Sequence, residues 1–359
     1  MTLTVRPLST GSGLAGNRLP KGTVWLILIV SLALSAALFG LLAIAEGTAF
    51  SLVGAVIVGA VLHLIASTGI AAAVEGRRQA IDRFLTGLVT GAFLIALVPL
   101  VSVAITVLSN GLHRFDMEFF TSSMRNITGE GGGALHAIIG TLLITLATAI
   151  ISIPLGLMTS IYLVEYGNGR LAKTITFLVD VMTGIPSIVA GLFAFALFSI
   201  FAGPGVRMGL AGAVALSVLM IPVVVRSSEE MLRLVPHELR EASYALGVPK
   251  WRTITKVVLP TSMAGITTGV VLAIARVIGE TAPLLITAGF TASMNYDLTS
   301  GRMLSLPVFV YNQYIAQGLP AEAYVDRAWT GALVLILIVM ALNLIARLVA
   351  KFFSPAKAR

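Results

Sequence analysis

The 359-residue chain contains no cysteine. That excludes disulfides, zinc thiolate sites, iron–sulfur clusters and thiol nucleophiles together. The histidines, at 63, 113, 136 and 237, show no H-x-x-x-H spacing. Metal chemistry therefore has no ligand set, and no cofactor of the chain's own is expected. Charge is scarce as well. Only 11% of residues are Asp, Glu, Lys or Arg, where a soluble domain carries about 25%. No G-x-x-x-x-G-K-[ST] phosphate loop is present, so ATP hydrolysis needs a different polypeptide. No nucleophile–base pair stands out either, which leaves a membrane-enzyme reading without support.

What is abundant is apolar. Hydrophobic residues make up 57% of the chain, and the mean hydropathy is +0.97. A membrane-spanning helix needs about 20 mostly apolar residues. Such runs fall at 24–45, 49–73, 85–109, 135–164, 174–201, 207–226, 264–288 and 328–350. The expected fold class is all-α integral membrane, with about eight spans. Ala43-Ile44-Ala45 imitates a signal-peptidase site. The run before it is longer than the usual apolar core of about 7–15 residues, and further spans follow, so it reads as an uncleaved span. Lone polar groups in the spans, His63 and Asn343, read as packing devices.

The formal net charge of +8 is explained by topology. With both termini in the cytoplasm, most basic residues fall inside, among them Arg6, Arg18, Lys21, Lys357 and Arg359. The outside then holds only Arg114, Arg125, Arg207, Arg302 and Arg327. Nucleic acid is not needed to account for the basic balance, and lipid is the expected surroundings. The outward stretch 302–320 alternates apolar and polar positions and is expected to form a surface or re-entrant helix.

One inward segment, 227–262, is charged and tightly punctuated. Pro236 suits the first turn of a helix. Leu239, Ala242 and Leu246 then recur on one face, with Glu238, Arg240 and Glu241 opposite. Gly247 stands where a helix C-terminus wants positive φ, and Pro249 blocks continuation. A second short helix begins near Lys250, with Trp251, Ile254 and Val258 on one face, and Pro260 breaks the pattern before the next span. Two readings suit such a pair of helices: docking in a partner's groove, or lying on lipid headgroups.

Two other places carry polar or helix-breaking residues at membrane depth. In "ARVIGETAPLL", Arg276 and Glu280 are four apart and share a face if the helix continues. A lone central Arg costs about 2.5–3.5 kcal/mol to insert. Pro283 removes the bond that the Gly279 carbonyl would accept. The cluster reads either as a gate for an anion or as an ion pair between packed helices. In "FLVDVMTGIPSIVAGLFAF", Asp180 lies near the cytoplasmic start of a span, and Gly184-Ile185-Pro186-Ser187 signals a broken helix. Asp180 is either an interface residue or part of a passage.

"EASYALGVPKWRTITKVVLP" resembles the EAA loop of ABC-importer permeases. Glu241, Ala242 and Ser243 take its first places, Gly247 its glycine, Val257 its aliphatic, and Leu259-Pro260 its end. Ser for the third Ala and Val for Ile are small departures. The resemblance implies an ABC type I importer transmembrane domain whose coupling helix fits a cleft in an ATP-binding subunit. "GETAPLL", "GIPSIVAGLF" and "LPVFVYNQY" are similar to the A-type permease subunit of phosphate-specific importers, over roughly residues 85–350. This narrower resemblance implies inorganic phosphate as cargo, with Arg276 and Glu280 at its passage; Pro283, Asp180, Pro186 and Ser187 are expected beside that passage from the helix breaks and the charge at membrane depth alone. It also implies a C-type permease partner, an ATP-binding subunit dimer, an extracytoplasmic phosphate-binding protein and a plasma-membrane location. The expected division is an extension at 1–80 with two spans, a span and outer loop at 81–134, a permease core at 135–350, and a tail at 351–359. The extension has no counterpart in the usual six-span member. An importer of molybdate, sulfate or phosphonate, and a secondary transporter or channel, are the alternatives.

Overall fold

A computed structural model of the chain describes residues 19–20 and 22–353. Arg6, Arg18, Lys21, Lys357 and Arg359 lie outside the described residues, as do 354–359 of the expected tail. Among the described residues all regular structure is helical. Seven helices are long and apolar enough to cross a membrane, or eight if one bent pair counts as a span. The chain divides into two compact units, Met1–Ala104 and Ile105–Arg359.

In the first unit, α1 (Thr23–Glu46) and α2 (Leu52–Val74) pack as a hairpin. Gly47, at φ 64°, closes α1 in the left-handed conformation. Ser51 caps α2 by accepting from Gly54 N at 3.3 Å. Lipid gives two apolar helices no hydrophobic reason to associate, so close packing and hydrogen bonds must do it. Both are present. Ser35 Oγ donates to the Ala55 carbonyl at 2.6 Å, and a Cβ on Gly59 would stand 3.2 Å from Leu32 Cα. Helix α3 (Arg77–Gly111) then carries the chain into the second unit.

The second unit is built on α5 (Leu135–Ile161) against α8 (Gly209–Arg233), preceded by the short α4 (Met117–Thr121). Small residues set their spacing. Ala211, Gly212, Ala213 and Ala215 of α8 are buried. Thr148 Oγ1 donates to the Ala213 carbonyl at 3.3 Å, and a Cβ on Gly156 would meet Val224 Cγ1 at 2.7 Å. Between them run α6 (Arg170–Thr183) and α7 (Ser187–Ala202). They carry the break that Gly184-Ile185-Pro186-Ser187 signals within the span expected over 174–201, and they meet at 109°. The cause is local. Pro186 disfavours helix at Ile185 and cannot donate, so α6 stops and Pro186 starts α7 as its N-cap.

The stretch after α8 holds α9 (His237–Ala245) and α10 (Lys250–Thr253), followed by α11 (Leu259–Ile278). Pro236 is the N-cap of α9 rather than its first helical residue. The break expected at Pro260 is not made. Residues Ile254–Val258 form a π-turn instead, with Leu259 N donating to the Ile254 carbonyl. That wider turn joins α10 to α11, and Pro260 falls at the start of α11, where a missing N–H is tolerated. The span expected over 264–288 does break, at 279–281, before α12 (Ala282–Thr287).

Residues 302–320 contain a true helix, α13 (Leu306–Ile315), which packs on α14 (Ala321–Phe353). Thr141 Oγ1 of α5 accepts from Leu306 N at 2.6 Å and pins its start. Arg327 of α14 is fully buried. It donates to Gln313 Oε1 at 2.9 Å and to the Gly129 and Gly131 carbonyls at 2.6 and 3.0 Å. The "GEGGGA" stretch thus has a structural purpose. Gly129 and Gly131, at φ 90° and 82°, turn their carbonyls onto a buried cation.

Candidate functional site

The 227–262 segment is folded by short-range chemistry. Gly247, at φ 74°, ends α9 in a Schellman motif. Its N–H donates to the Tyr244 carbonyl at 2.9 Å, and Val248 N donates to the Ser243 carbonyl at 3.2 Å. Ser243, the departure from the third Ala of the EAA pattern, is buried and shares a hydrogen bond with Thr253 Oγ1 at 2.8 Å. It ties α9 to α10 across the elbow.

Two long-range contacts then fix the segment. Arg240 was expected on the polar, open face of α9. It is instead buried, because the last carbonyls before the turn into α9 need donors. Its guanidinium donates to the Leu232 and Val235 carbonyls at 3.0 and 2.6 Å. It also pairs with Glu165 at 2.9 Å, on a π-turn (Tyr162–Tyr166) that extends α5. Lys250, at the start of α10, donates to the Glu165 carbonyl and sits over the Tyr166 ring at 4.8 Å. Glu165 thus receives both halves of the elbow. Sequence reasoning missed it; the only signal was one acid, in "YLVEY", closing an apolar run.

With Arg240 and Ser243 turned inward, the apolar residues of α9 face outward. Leu239 and Ala242 are exposed, and Leu246 is 83% exposed. Trp251 does not share the buried face of Ile254 and Val258, and is 58% exposed. Glu241 is exposed, Leu259 half-buried and Pro260 exposed. The elbow therefore presents an apolar face that none of the described residues covers.

Asp180 lies in α6, three residues before Thr183 ends the helix, and forms an ion pair with Arg226 of α8. Arg226 also pairs with Glu229 at 2.9 Å, and Glu229 with Arg233 at 2.6 Å. Glu229 is buried. This chain of charges leads from the α6–α7 bend toward the C-terminal end of α8, which precedes the α9–α10 elbow. Arg226, Glu229 and Arg233 had not been singled out in the sequence, where "VRSSEEMLR" looks like an ordinary loop run.

The two helix breaks are brought together. A Cβ on Gly191 of α7 would stand 2.6 Å from Pro283 Cα, so α7 and α12 touch backbone to backbone. Pro186 is exposed and Ser187 half-buried at the head of α7. Pro283 is buried in the first turn of α12. It does not remove a bond to Gly279 from a continuing helix, because α11 has already ended at Ile278. For the same reason Arg276 and Glu280 are not a helical i,i+4 pair. Among the described residues no ion pair joins them. Arg276 is exposed in the last turn of α11, where the helix dipole favours a cation by about 0.3–1 kcal/mol. Thr261, Thr268, Leu272 and Arg276 form one exposed stripe along α11, while Ile266, Ala273 and Val277 are buried. Arg276 therefore points out of this chain's own core.

Comparison with known proteins gives the following. The family of binding-protein-dependent transport system inner membrane components matches residues 152–359. A phosphate transport system permease protein PstA 1 of Mycobacterium tuberculosis H37Rv is 46% identical over 75% of this chain and 86% of its own length. A phosphate transport system permease protein PstA of Pasteurella multocida is 40% identical over 72% of this chain and 88% of its own length. Among solved structures, a bacterial alginate ABC transporter in complex with an alginate-pentasaccharide-bound periplasmic protein superposes with a TM-score of 0.53 at 14% identity. That match covers 74% of this chain and 93% of that one. The last likeness establishes the fold alone.

Proposed function

Because the chain belongs to the family of binding-protein-dependent transport system inner membrane components, we propose that it is the permease subunit of an ATP-driven importer of inorganic phosphate. The observation that carries the mechanism is the anchored elbow. Arg240 and Lys250 bind the α5 end at Glu165, while Leu239, Leu246 and Trp251 stay uncovered. An ATP-binding subunit docks on that apolar face, and a second copy serves the other permease half. Closure of the ATPase pair pushes α9, and the push passes through the Glu165–Arg240 pair into α5 and α8.

Cargo moves along the exposed stripe of α11. That stripe faces away from the chain's own core, where a second, C-type permease subunit completes the pathway. Arg276 supplies positive potential and, unpaired with Glu280, is free to meet an anion. Asp180, Pro186 and Ser187 flank the bend that lets α7 shift against Pro283. An extracytoplasmic phosphate-binding protein delivers the cargo, ATP is bound only by the partner subunits, and both termini lie in the cytoplasm of a plasma-membrane protein. The reading is tested by uptake of labelled phosphate in cells with and without the gene, with molybdate, sulfate and phosphonate as competitors. Gene-dependent uptake that phosphate alone competes supports it. Uptake competed better by another oxyanion overturns the cargo assignment.

A further inference from the structure

The end of the second unit opposite the elbow carries two cations that the pathway so far leaves unused. Helix α8 has 25 residues, about 37 Å at ~1.5 Å per residue, so Arg207, just before it, lies far from the coupling segment. Three stretches of backbone meet there. Met208 N donates to the Thr287 carbonyl at 3.0 Å, and Met303 N donates to the Ala288 carbonyl at 3.1 Å. Those consecutive carbonyls set Arg207 and Arg302 beside Gly289, which is buried at φ 78°. A Cβ at 289 would stand 2.9 Å from Arg207 Cδ and 3.4 Å from Arg302 Cδ, so both aliphatic stems cross the same glycine.

The Arg302 backbone is held from its other side too. Asn295 Nδ2 donates to its carbonyl at 3.0 Å and to the Ser300 carbonyl at 2.8 Å. The acid of this loop, Asp297, is engaged elsewhere: it accepts from Thr299 N at 2.8 Å and Thr299 Oγ1 at 2.7 Å. Those bonds, the hydroxyl's first, hold its carboxyl below the usual carboxylate range. Both arginines are exposed, and among the described residues neither forms an ion pair. Like charges repel. Two cations pinned together on fixed backbone, with no carboxylate to relieve them, are suited to an anion that arrives from outside.

We propose that Arg207 and Arg302 form a receiving site for an oxyanion at the outer mouth, occupied after release from the binding protein and before passage to Arg276. Only α12, six residues long and about 9 Å at ~1.5 Å per residue, separates Gly289 from the break that follows Arg276. The assignment rests on the phosphate-permease reading and adds an earlier stop to it. Fixed positive groups at the mouth of a low-dielectric passage raise anion capture by about tenfold or more.

The test is labelled inorganic phosphate uptake by the whole transporter in proteoliposomes, at saturating loaded binding protein. If wild type carries a different oxyanion, the phosphate reading falls, and the same comparison on that anion decides the pair. Expected is a loss of about tenfold or more in maximal uptake for the double variant Arg207→Gln/Arg302→Gln. The ATP-binding subunit stays bound, and the double Lys variant keeps most of the rate. Wild-type uptake also falls more steeply with added salt than the Gln variant's does. Unchanged uptake overturns the site. So does a defect that disappears at high binding-protein concentration, which would make the arginines a docking surface for that protein. Equal damage by Gln and Lys, with loss of subunits, would assign them to packing. If the double variant does not assemble, Arg302→Gln alone, with Met303 still tethering the backbone, decides by the same criteria.

Discussion

The proposed passage of cargo rests on Arg276, whose surroundings differ from those its spacing suggests. The spacing in "ARVIGETAP" suggests a helical partner for it, but Gly279 ends α11 at Ile278, so Glu280 is carried off the helix face. What was legible was that a cation sits at a break; what was not legible was that the break precedes Glu280 rather than following it. A propensity for Gly to end helices says nothing of which of several residues tertiary packing selects. Here Pro283 is drawn against Gly191, and the chain must turn before it. An unpaired Arg276 should matter more than Glu280. Losing a charged hydrogen bond to phosphate costs about 1.5–3 kcal/mol, or about 10–100-fold. Arg276→Gln is therefore expected to lower phosphate uptake by about that factor with assembly intact. Glu280→Gln is expected to change it less. Co-purification of subunits beside the uptake assay checks both. Loss of assembly in Arg276→Gln would make the residue a helix-terminal packing group.

The elbow shows what sequence reveals at the scale of elements. Gly247 and Pro249 act within a few residues of themselves, so the turn between α9 and α10 could be read directly. Arg240 could not, because its partner Glu165 is 75 positions away. No local pattern distinguishes an arginine facing water from one capping carbonyls across the fold. At α6 and α7 the break itself was legible in Gly184-Ile185-Pro186-Ser187, because Pro186 acts on its own neighbours, whereas the 109° between the two helices was not. Two variants separate the roles. Gly247→Asp meets open space in this chain and costs about 1–2 kcal/mol for the left-handed conformation. The protein should insert and assemble, while ATP hydrolysis no longer drives uptake. Measured as phosphate moved per ATP hydrolysed, an unchanged ratio would remove the elbow from the mechanism. Breaking the buried Glu165–Arg240 pair from one side leaves an uncompensated charge and costs about 3–5 kcal/mol. Glu165→Gln should thus release the ATP-binding subunit in detergent, and Glu165→Met/Arg240→Met should recover part of its retention. If the double variant is no better than the single, the pair is not the tether.

For the whole molecule, composition alone indicated an all-helical membrane protein, and hydropathy found each of the seven long apolar helices. What composition cannot divide is labour between the two units. Every contact invoked for coupling lies in the second unit: Glu165 with Arg240 and Lys250, Ser243 with Thr253, and Gly191 against Pro283. The family match also lies there, at 152–359. The polar contacts cited for the first unit are internal to it. Ser35 bonds Ala55 within the hairpin, and Glu75 pairs with Arg83 at 2.8 Å beside it. No contact invoked above for transport or motor docking involves residues of α1 or α2. A chain beginning at Gly76, with an initiator methionine, should therefore insert, retain the ATP-binding subunit and take up phosphate. Glu75 is lost in that variant and Arg83 left unpaired. Because Arg83 is partly exposed and near a helix start, the loss of such a pair should cost about 0–1 kcal/mol. Expression, subunit retention and uptake are measured against the full chain. If retention is lost while the truncated protein is still inserted, α1 and α2 are part of the machine rather than an addition to it, and the division of labour drawn from the contacts is wrong.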